Sequence, residues 1–575
     1  MRSRLRAKKC ARTGRQGGQK PSPEQRLQRS AGTDAERMRE RACAQVRRGQ
    51  LSRARQTLTS APLAPGNAAT LRLLSDPDKR PPRPRQPMPD DIASFRAADR
   101  VHLTAAELGE ALRTAKRGSA AGLSGAAVEH YRLLLEDEEA MDLLAHAASL
   151  LANADAPAAV LQALALSRLT ALSKPGGGVR GIATGDTLRR LVSRALSRQY
   201  ADTFDRATRP FQFALQARAG TDCLAAMLRA ASELDADATI VSLDGRSAYD
   251  TVSRAAFLKK LREVAPALVP YVRAWYGGTS TYLWWDAEGR RHEISQGDGC
   301  EQGDALAPAL YSLAQHDALA AAQGRLQPGE FLAAFLDDLY LVTTPARARS
   351  ALDDVTRTVE RQAGVAANLG KTRVYRASGG PPPPDIAVLG PEVWCGGDSE
   401  PATCGFVALG VPIGHTEFVR RTLAARLEEE RRLLHELPEL PDMQSAWLLL
   451  LYCASPRAQH ALRTVPPLDS ATYAAEHDRA IWATLHHLLA EQDASGREWT
   501  AARQIAFLPA ACGGLGLASA ERLAPAAYWD LLGGLGGRAP GDAAKTPGGC
   551  PPICARTRSW RRVDCAVPAG SCGSG

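Results

Sequence analysis

No run of about 18 apolar residues occurs anywhere in the 575-residue sequence, which argues against a membrane-spanning helix. The opening MRSRLRAKKCARTGRQ is basic but has no apolar stretch behind it, so it does not read as a secretory signal. Cysteine is present at 12 positions without organisation: Cys550, Cys554, Cys565 and Cys572 have neither close pairing nor an interleaved histidine, which argues against a zinc site. Unpaired thiols in a reducing, intracellular compartment follow as the expectation, with the nucleus a plausible location. Internal repeats are absent, and the turn Gly513-Gly514-Leu515-Gly516-Leu517 lacks the Lys-Ser/Thr of a phosphate loop. What is present is a globular balance, 45% hydrophobic and 23% charged, in a chain long enough for several domains or lobes. The net charge of +10 is uneven: residues 1–90 carry 22 Lys+Arg against 7 Asp+Glu, while 91–575 carry 50 against 55. The basic character thus belongs to an arm, which reads either as a tether for nucleic acid or an acidic partner, or as a solvating tail.

Residues 1–60 are rich in Arg, Gln and Ser with little apolar periodicity, which predicts disorder or isolated helix. The segment PDKRPPRPRQPMPDD (77–91) predicts a linker that cannot sustain helix or sheet, with order beginning after it. Thr104 and Glu107 form a capping-box pattern for a helix carrying Leu108 and Leu112 and stopped at Gly118. Helical patterns then run to about Tyr200, interrupted by the glycine turn at 174–180. In the middle of the chain the period changes. Thr239–Leu243, Phe331–Phe335 and Leu339–Thr343 are short apolar runs bounded by turn residues, with helical stretches at Ser253–Val264, Ala305–Ala322 and Ala346–Ala363. Helix dominates again from Phe418 to about Leu489. A few strands among many helices predict an α+β fold. Near Leu531 the composition breaks into Gly, Pro and Cys without periodicity, and 531–575 is expected to be a disordered tail.

The segment ATIVSLDGRSAYD (238–250) reads as a strand ending in Asp244 and a glycine turn. FLAAFLDDLYLVTT (331–344) reads as strand, Asp337-Asp338, strand: a hairpin with two acids at its tip. Adjacent carboxylates between apolar strands repel each other and lose hydration, and a divalent cation removes both costs. A third carboxylate from a neighbouring strand end completes a hard-oxygen site suited to Mg²⁺. Two such ions could activate a primer hydroxyl and stabilise leaving pyrophosphate. In isolation, an Asp-Asp pair is more often a polar turn.

Several further blocks stand in one order. They are Gly118-Ser119-Ala120-Ala121-Gly122-Leu123-Ser124-Gly125; Lys174 through Arg180, then Arg189-Arg190-Leu191; LDGRSAYD (243–250); GCEQGDALAPAL (299–310); FLDD (335–338); Asn368 through Lys371-Thr372; and Leu409-Gly410 through Gly414. With these blocks the chain resembles the reverse transcriptases over about residues 105–530, most closely those of non-long-terminal-repeat retrotransposons. The resemblance implies a right-hand polymerase: helical fingers (91–235, with an N-terminal helical extension, a hairpin at Lys174 through Arg180 and a helix after it at Arg189-Arg190-Leu191), a small antiparallel-sheet palm (236–425) and a helical thumb with its extension (426–530). Ahead of them stand the arm and linker (1–90), and behind them the tail (531–575).

By the same resemblance Asp244, Asp337 and Asp338 are the catalytic, metal-holding acids, for two Mg²⁺ ions with Mn²⁺ as a substitute. Lys174 and Arg180 flank a glycine turn, so both could reach an incoming triphosphate, or form a solvated basic turn; the resemblance favours Arg180 for the contact. Tyr249 takes the place of the aromatic that lies under the sugar and excludes a 2′-hydroxyl, while by itself it passes as a core tyrosine. Gln302-Gly303 matches the pair that approaches the nascent base pair, where a glycine permits close backbone contact. Lys371 is a candidate general acid for pyrophosphate, and equally a surface lysine. Asp250 reads as a cap or turn residue without a catalytic role, and His460 as packed or hydrogen-bonded.

Asp304 and Leu336 depart from the family pattern, which has a small or uncharged residue at the first and a small one at the second. The partners implied are an RNA template, a DNA primer and deoxynucleoside triphosphates, with no membrane. No carboxylate set for an endonuclease or RNase H is evident, so such an activity is expected to come from elsewhere. The function expected is RNA-directed DNA polymerase of a retrotransposon. The alternatives are a decayed or repurposed core that only binds nucleic acid and, with no feature favouring it, an intron maturase.

Overall fold

The computed structural model describes residues 34–60, 63–174, 176–215, 219–397, 400–489 and 496–536. Its strands are β1 (Ser167–Ser173), β2 (Val179–Thr184), β3 (Thr239–Leu243), β4 (Ser280–Trp285), β5 (Arg291–Gln296), β6 (Phe331–Phe335), β7 (Asp338–Thr343), β8 (Arg373–Tyr375), β9 (Gly405–Ala408) and β10 (Val411–Gly414). The rest is mostly helical, so the α+β expectation holds.

The central sheet is antiparallel throughout, in the order β6-β7-β3-β8. Both of its faces are covered, which is why its strands read as continuous apolar runs rather than alternating ones. Val241, Leu243, Leu332, Ala334, Leu339 and Leu341 join the main core with helices Ala307–Gln323 and Ala348–Ala363. Ile240, Phe331, Ala333, Tyr340 and Val342, one residue out of step, pack instead with Leu224, Leu228, Phe406 and Ile413. A one-residue slip in pairing would exchange the two sets, so the register is fixed from both sides.

A second four-stranded sheet has the order β2-β1-β4-β5, with β1 and β4 parallel. Its β1–β2 hairpin lies in the region where helix was expected on both sides of the glycine turn. The helical reading from periodicity is corrected there, while the hairpin that the resemblance implies at Lys174 through Arg180, and the helix after it (Thr187–Gln199), are present. β4 and β5 had also gone unassigned: β5 (RHEISQ) offers one apolar residue, Ile294, in an otherwise polar run, so no hydrophobic period marks it.

The capping box is as expected: Glu107 N donates to Thr104 Oγ1 (3.2 Å) and Thr104 N to Glu107 Oε2 (2.8 Å). The helix it starts ends at Thr114, short of Gly118. The expected helices at 253, 305 and 346 begin at Arg254, with Ser253 as N-cap, at Ala307 and at Ala348.

At the N-terminus the disorder expectation is corrected for the described part. Helices Asp34–Arg47 and Leu51–Thr59 form a hairpin whose Ala42, Cys43, Val46, Ala54 and Leu58 share a core with Leu433, Leu437, Leu449, Ile481 and Leu485. Order therefore precedes the proline-dense segment. That segment forms no regular strand and only a four-residue helix at Asp90–Ala93, yet it is packed rather than free: Pro81 O accepts from Gly297 N (2.6 Å) and Arg80 is buried. At the other end, helix Ala520–Gly536 runs past the compositional break at Leu531. The rest of the expected tail, 537–575, and arm residues 1–33 lie outside the described residues, as does Pro175 within the glycine turn. No described cysteine takes part in a disulfide, and no helix among the described residues is long and apolar enough to cross a membrane.

Candidate active site

β3 and β7 pair antiparallel with Leu243 opposite Leu339 as the last matched position, so continuing the register one step sets Asp244 against Asp338. Phe335 pairs with Asp338, leaving Leu336-Asp337 as a two-residue turn. Three carboxylates thus gather at one end of the sheet, because a strand end and a neighbouring hairpin tip coincide there.

Leu336 takes φ +55°, a conformation costly for a branched side chain. The side chain of Gln212 holds it there: Leu336 N donates to Gln212 Oε1 (3.0 Å), and Gln212 Nε2 donates to Leu336 O (3.3 Å) and to Gln315 Oε1 (3.3 Å). Neither glutamine was singled out from the sequence, where a lone Gln carries no periodic signal.

Burial pushes the Asp338 carboxyl up to about 6, with Asp337 and Asp244 adding to the shift. Burial raises Asp337 too, and Asp244 adds to the rise, while Arg180 and Lys371 oppose it. The acids are therefore close enough to repel, and two of the expected cations face them. Asp244 Oδ2 is already engaged, accepting from Asn368 Nδ2 (3.0 Å) and lying 3.2 Å from Lys371 Nζ. Asn368 N also donates to Asp244 O (2.7 Å), fixing the strand end.

As a donor set for a hard divalent cation the carboxylates fit, since they offer only oxygen ligands and their negative charge is offset only in part by Lys371 and Arg180. They are not gathered into a ready shell: among the described residues no group of three or more His, Cys, Asp or Glu stands at metal-ligating spacing.

Tyr249 stacks on the buried ring of Tyr311, centroids 5.1 Å apart and 11° from parallel. Burial raises its phenol, and Cys300 and Asp337 raise it further, which places the ring beside the acids. Tyr311, Gln315, Asp244, Gly245 and Asp337 line a small cavity of about 30 Å³ behind the sheet end.

Lys174 and Arg180 lie exposed at the β1–β2 turn, closed by Lys174 N to Gly178 O (3.1 Å). Burial, then Arg180, Lys371 and Lys79, lower the Lys174 ammonium, which means that four cations crowd this rim of the acidic cluster. Lys79, from the proline-dense segment, had no place in the sequence reading.

Gln302-Gly303 is exposed between two buried acids, and a Cβ on Gly303 would stand 2.7 Å from Ala183 O of β2. The departure at Asp304 acquires a physical role here. Its Oδ2 accepts from Tyr276 OH (2.7 Å) and lies 3.8 Å from Arg189, while its Oδ1 accepts from Leu306 N (3.0 Å) ahead of helix Ala307–Gln323. Arg189, 2% exposed, also meets Glu301 Oε1 at 3.1 Å and lies 4.7 Å from the Trp275 ring centroid. A buried charge needs such partners, and together they clamp the turn that presents Gln302. Asp304 lies in that clamp. His460 lies between Arg426 (3.4 Å) and Asp222 (3.6 Å), packed as expected.

Residues 172–409 match the family model described as reverse transcriptase (RNA-dependent DNA polymerase). The α+β architecture with its small antiparallel sheet, taken with that match, defines a polymerase domain of the right-hand class. More narrowly, residues 172–409 are similar to reverse transcriptases, and the chain is also similar to a retrotransposable-element protein. A curated relative, the retrotransposable element SLACS 132 kDa protein of Trypanosoma brucei gambiense, is 25% identical over 421 residues, 72% of this chain and 33% of the relative. The chain thus spans about a third of the length of the curated relative it matches. Among solved structures, telomerase from Candida albicans in complex with a fragment of telomeric RNA is 12% identical with a TM-score of 0.33, covering 59% of this chain and 63% of that one. Apo telomerase from Candida tropicalis is 11% identical with a TM-score of 0.36, covering 59% and 61%. Both likenesses are remote.

Proposed function

We propose that the protein is an RNA-directed DNA polymerase of a retrotransposon, extending a DNA primer on an RNA template with deoxynucleoside triphosphates. The observation that carries this is the β3–β7 register, which sets Asp244 against Asp338 beside Asp337 and opposite the cationic rim of Lys174, Arg180 and Lys371. Asp244, Asp337 and Asp338 would hold two Mg²⁺ ions, which would lower the pKa of the primer 3′-hydroxyl and offset charge on the leaving pyrophosphate.

The chain's own residues supply the rest. Arg180 and Lys174 bind the triphosphate, Arg180 as a planar fork and Lys174 as a mobile point charge. Tyr249, backed by Tyr311, fills the space a 2′-hydroxyl would need. Gln302-Gly303 lies against the nascent pair, held by the Arg189 clamp. Lys371, 3.2 Å from Asp244 Oδ2, would donate a proton to pyrophosphate. In this reading residues 91–235 are the fingers, 236–425 the palm and 426–530 the thumb, with the hairpin at 34–59 joined to the thumb.

Purified protein with an RNA template, DNA primer, deoxynucleotides and Mg²⁺ should extend the primer. Asp337→Ala should lower that rate by about three orders of magnitude, the scale expected when a group stabilising transition-state charge is lost. Extension by the variant at the wild-type rate would defeat the site assignment.

A second reading, a repurposed core that binds nucleic acid without catalysis, is favoured by the engagement of Asp244 with Lys371 and Asn368 and by the lack of a gathered ligand shell. It requires salt-sensitive binding that Asp337→Ala leaves unchanged, with no extension in Mg²⁺ or Mn²⁺.

A further inference from the structure

Arg80 lies outside the matched domain, in the segment whose composition suggested a mere linker, yet it is 5% exposed and surrounded by polar partners. Its Nε donates to Gln296 Oε1 (2.7 Å) at the end of β5, and one terminal nitrogen donates to Leu74 O (3.1 Å). The other terminal nitrogen lies 3.2 Å from Asp250 Oδ1 and makes a long contact of 3.5 Å with Gly181 O in β2. The guanidinium carbon stands 5.6 Å from the Tyr282 ring centroid.

Three of the four partners lead to residues of the site, Leu74 being the exception. Asp250 follows Tyr249, and Gly181 follows Arg180. Gln296 in turn donates to Asp298 O (2.8 Å), beside the turn whose Cys300 N donates to Tyr249 O (2.8 Å).

The surrounding backbone is packed to match. Gly297 N donates to Pro81 O (2.6 Å) and Arg85 N to Asp298 Oδ2 (2.9 Å); a Cβ on Gly297 would fall 1.9 Å from Arg83 C, and one on Gly181 would stand 3.1 Å from the Arg80 guanidinium. The segment is fixed to β5 and the turn after it by these polar contacts. Asp250, 22% exposed, also feels Lys174 and Arg180, so it is shared between Arg80 and the triphosphate-facing cations.

We propose that Arg80 is a positioning residue for nucleotide selection: by joining Asp250 to β2 and β5 it sets the distance between the ring of Tyr249 and the guanidinium of Arg180. The segment Asp76–Arg85 is thereby part of the nucleotide pocket, and Lys79 at its edge adds to the positive rim. A guanidinium is required, because only a planar fork with several donors can serve four acceptors at once. The inference rests on the reading of Tyr249 and Arg180 as nucleotide contacts.

The test compares Arg80→Gln, Arg80→Lys, Asp250→Asn and the Arg80→Gln/Asp250→Asn pair in the full chain. On RNA–DNA template–primer, Arg80→Gln should raise KM for deoxynucleotides by about ten- to a hundredfold, the penalty for slight misplacement of a reacting group. It should also reduce the preference for deoxy- over ribonucleotides, while primer binding changes less than twofold. Arg80→Lys should recover part of the loss, and the pair should cost little more than either change alone.

Hydrogen exchange on the same proteins gives a readout independent of turnover. Exchange should rise at 179–184 and 249–252 in Arg80→Gln and stay as in the wild type at 239–243 and 338–343. If the wild type fails to extend any primer, the polymerase reading falls, and exchange alone decides the coupling. An unchanged KM and nucleotide preference, or exchange that rises across all four segments together, would overturn the proposal.

Discussion

At the scale of single residues, the acids at the sheet end are defined by the charge they are forced to share. Asp338 has its carboxyl pushed up to about 6 by burial first and then by Asp337 and Asp244. In the unfolded chain the same group titrates near 4. Between these values the native state holds the proton and the unfolded state does not. Stability is therefore lost as pH rises from about 4 to about 6, and the loss persists above that window. In EDTA, Asp338→Asn should raise Tm at pH 8 and leave it unchanged at pH 4, a comparison that thermal melts can make directly. Adding Mg²⁺ at pH 8 should stabilise the wild type and leave the variant nearly unaffected, because a cation bound only by the native carboxylates adds to folding stability. A variant less stable than wild type at pH 8 in EDTA would mean that Asp338 is already compensated by neighbours.

The elements show why some of the site was legible and some was not. β3 and β6 could be read to the residue and β7 to within one, because they are apolar runs cut off by acids, and the acids at their ends follow from that. β5 escaped because a polar strand on a half-exposed sheet has one buried aliphatic at most to betray it, and β4, though its Tyr282, Leu283 and Trp284 are buried, is a run of six residues without strict alternation. The Gln212 clamp on Leu336 escaped for a different reason: it is a contact between residues 124 positions apart, made by an amide with no pattern around it. That clamp makes its own prediction. Gln212→Ala should cost about 1–3 kcal/mol, since the turn amide and carbonyl at Leu336 lose their buried partner. In a Leu336→Gly background the same change should cost less, because glycine adopts positive φ without support. Urea denaturation of the four proteins measures the coupling; equal costs in both backgrounds would show that Gln212 does not hold the turn conformation.

For the whole molecule, the two ends of the described chain are one structural unit. Periodicity alone could suggest at most an isolated helix before residue 60, because an amphipathic hairpin with short, Ala-rich buried faces gives little signal until its partner surface is known. The partner is the far end of the chain: Leu58 packs in one core with Leu433, Leu450 and Ile481, and Arg39 meets Glu436 at 3.1 Å on the rim. The ion pair, half-buried at the rim and open to solvent, contributes little, so the apolar contact holds the hairpin down. If residues 34–59 brace the C-terminal helices, a cavity cut on one side must loosen the other. Leu58→Ala should cost about 2–4 kcal/mol, the range for a buried leucine whose site collapses only in part. Hydrogen exchange should then speed up at 443–454 as well as at 51–59, although the two segments are separated by nearly the whole domain in sequence. The β3–β7 sheet, whose core does not include Leu58, should keep its protection. Faster exchange confined to 51–59 would show instead that the hairpin merely rests on the C-terminal helices and that their packing is independent of it.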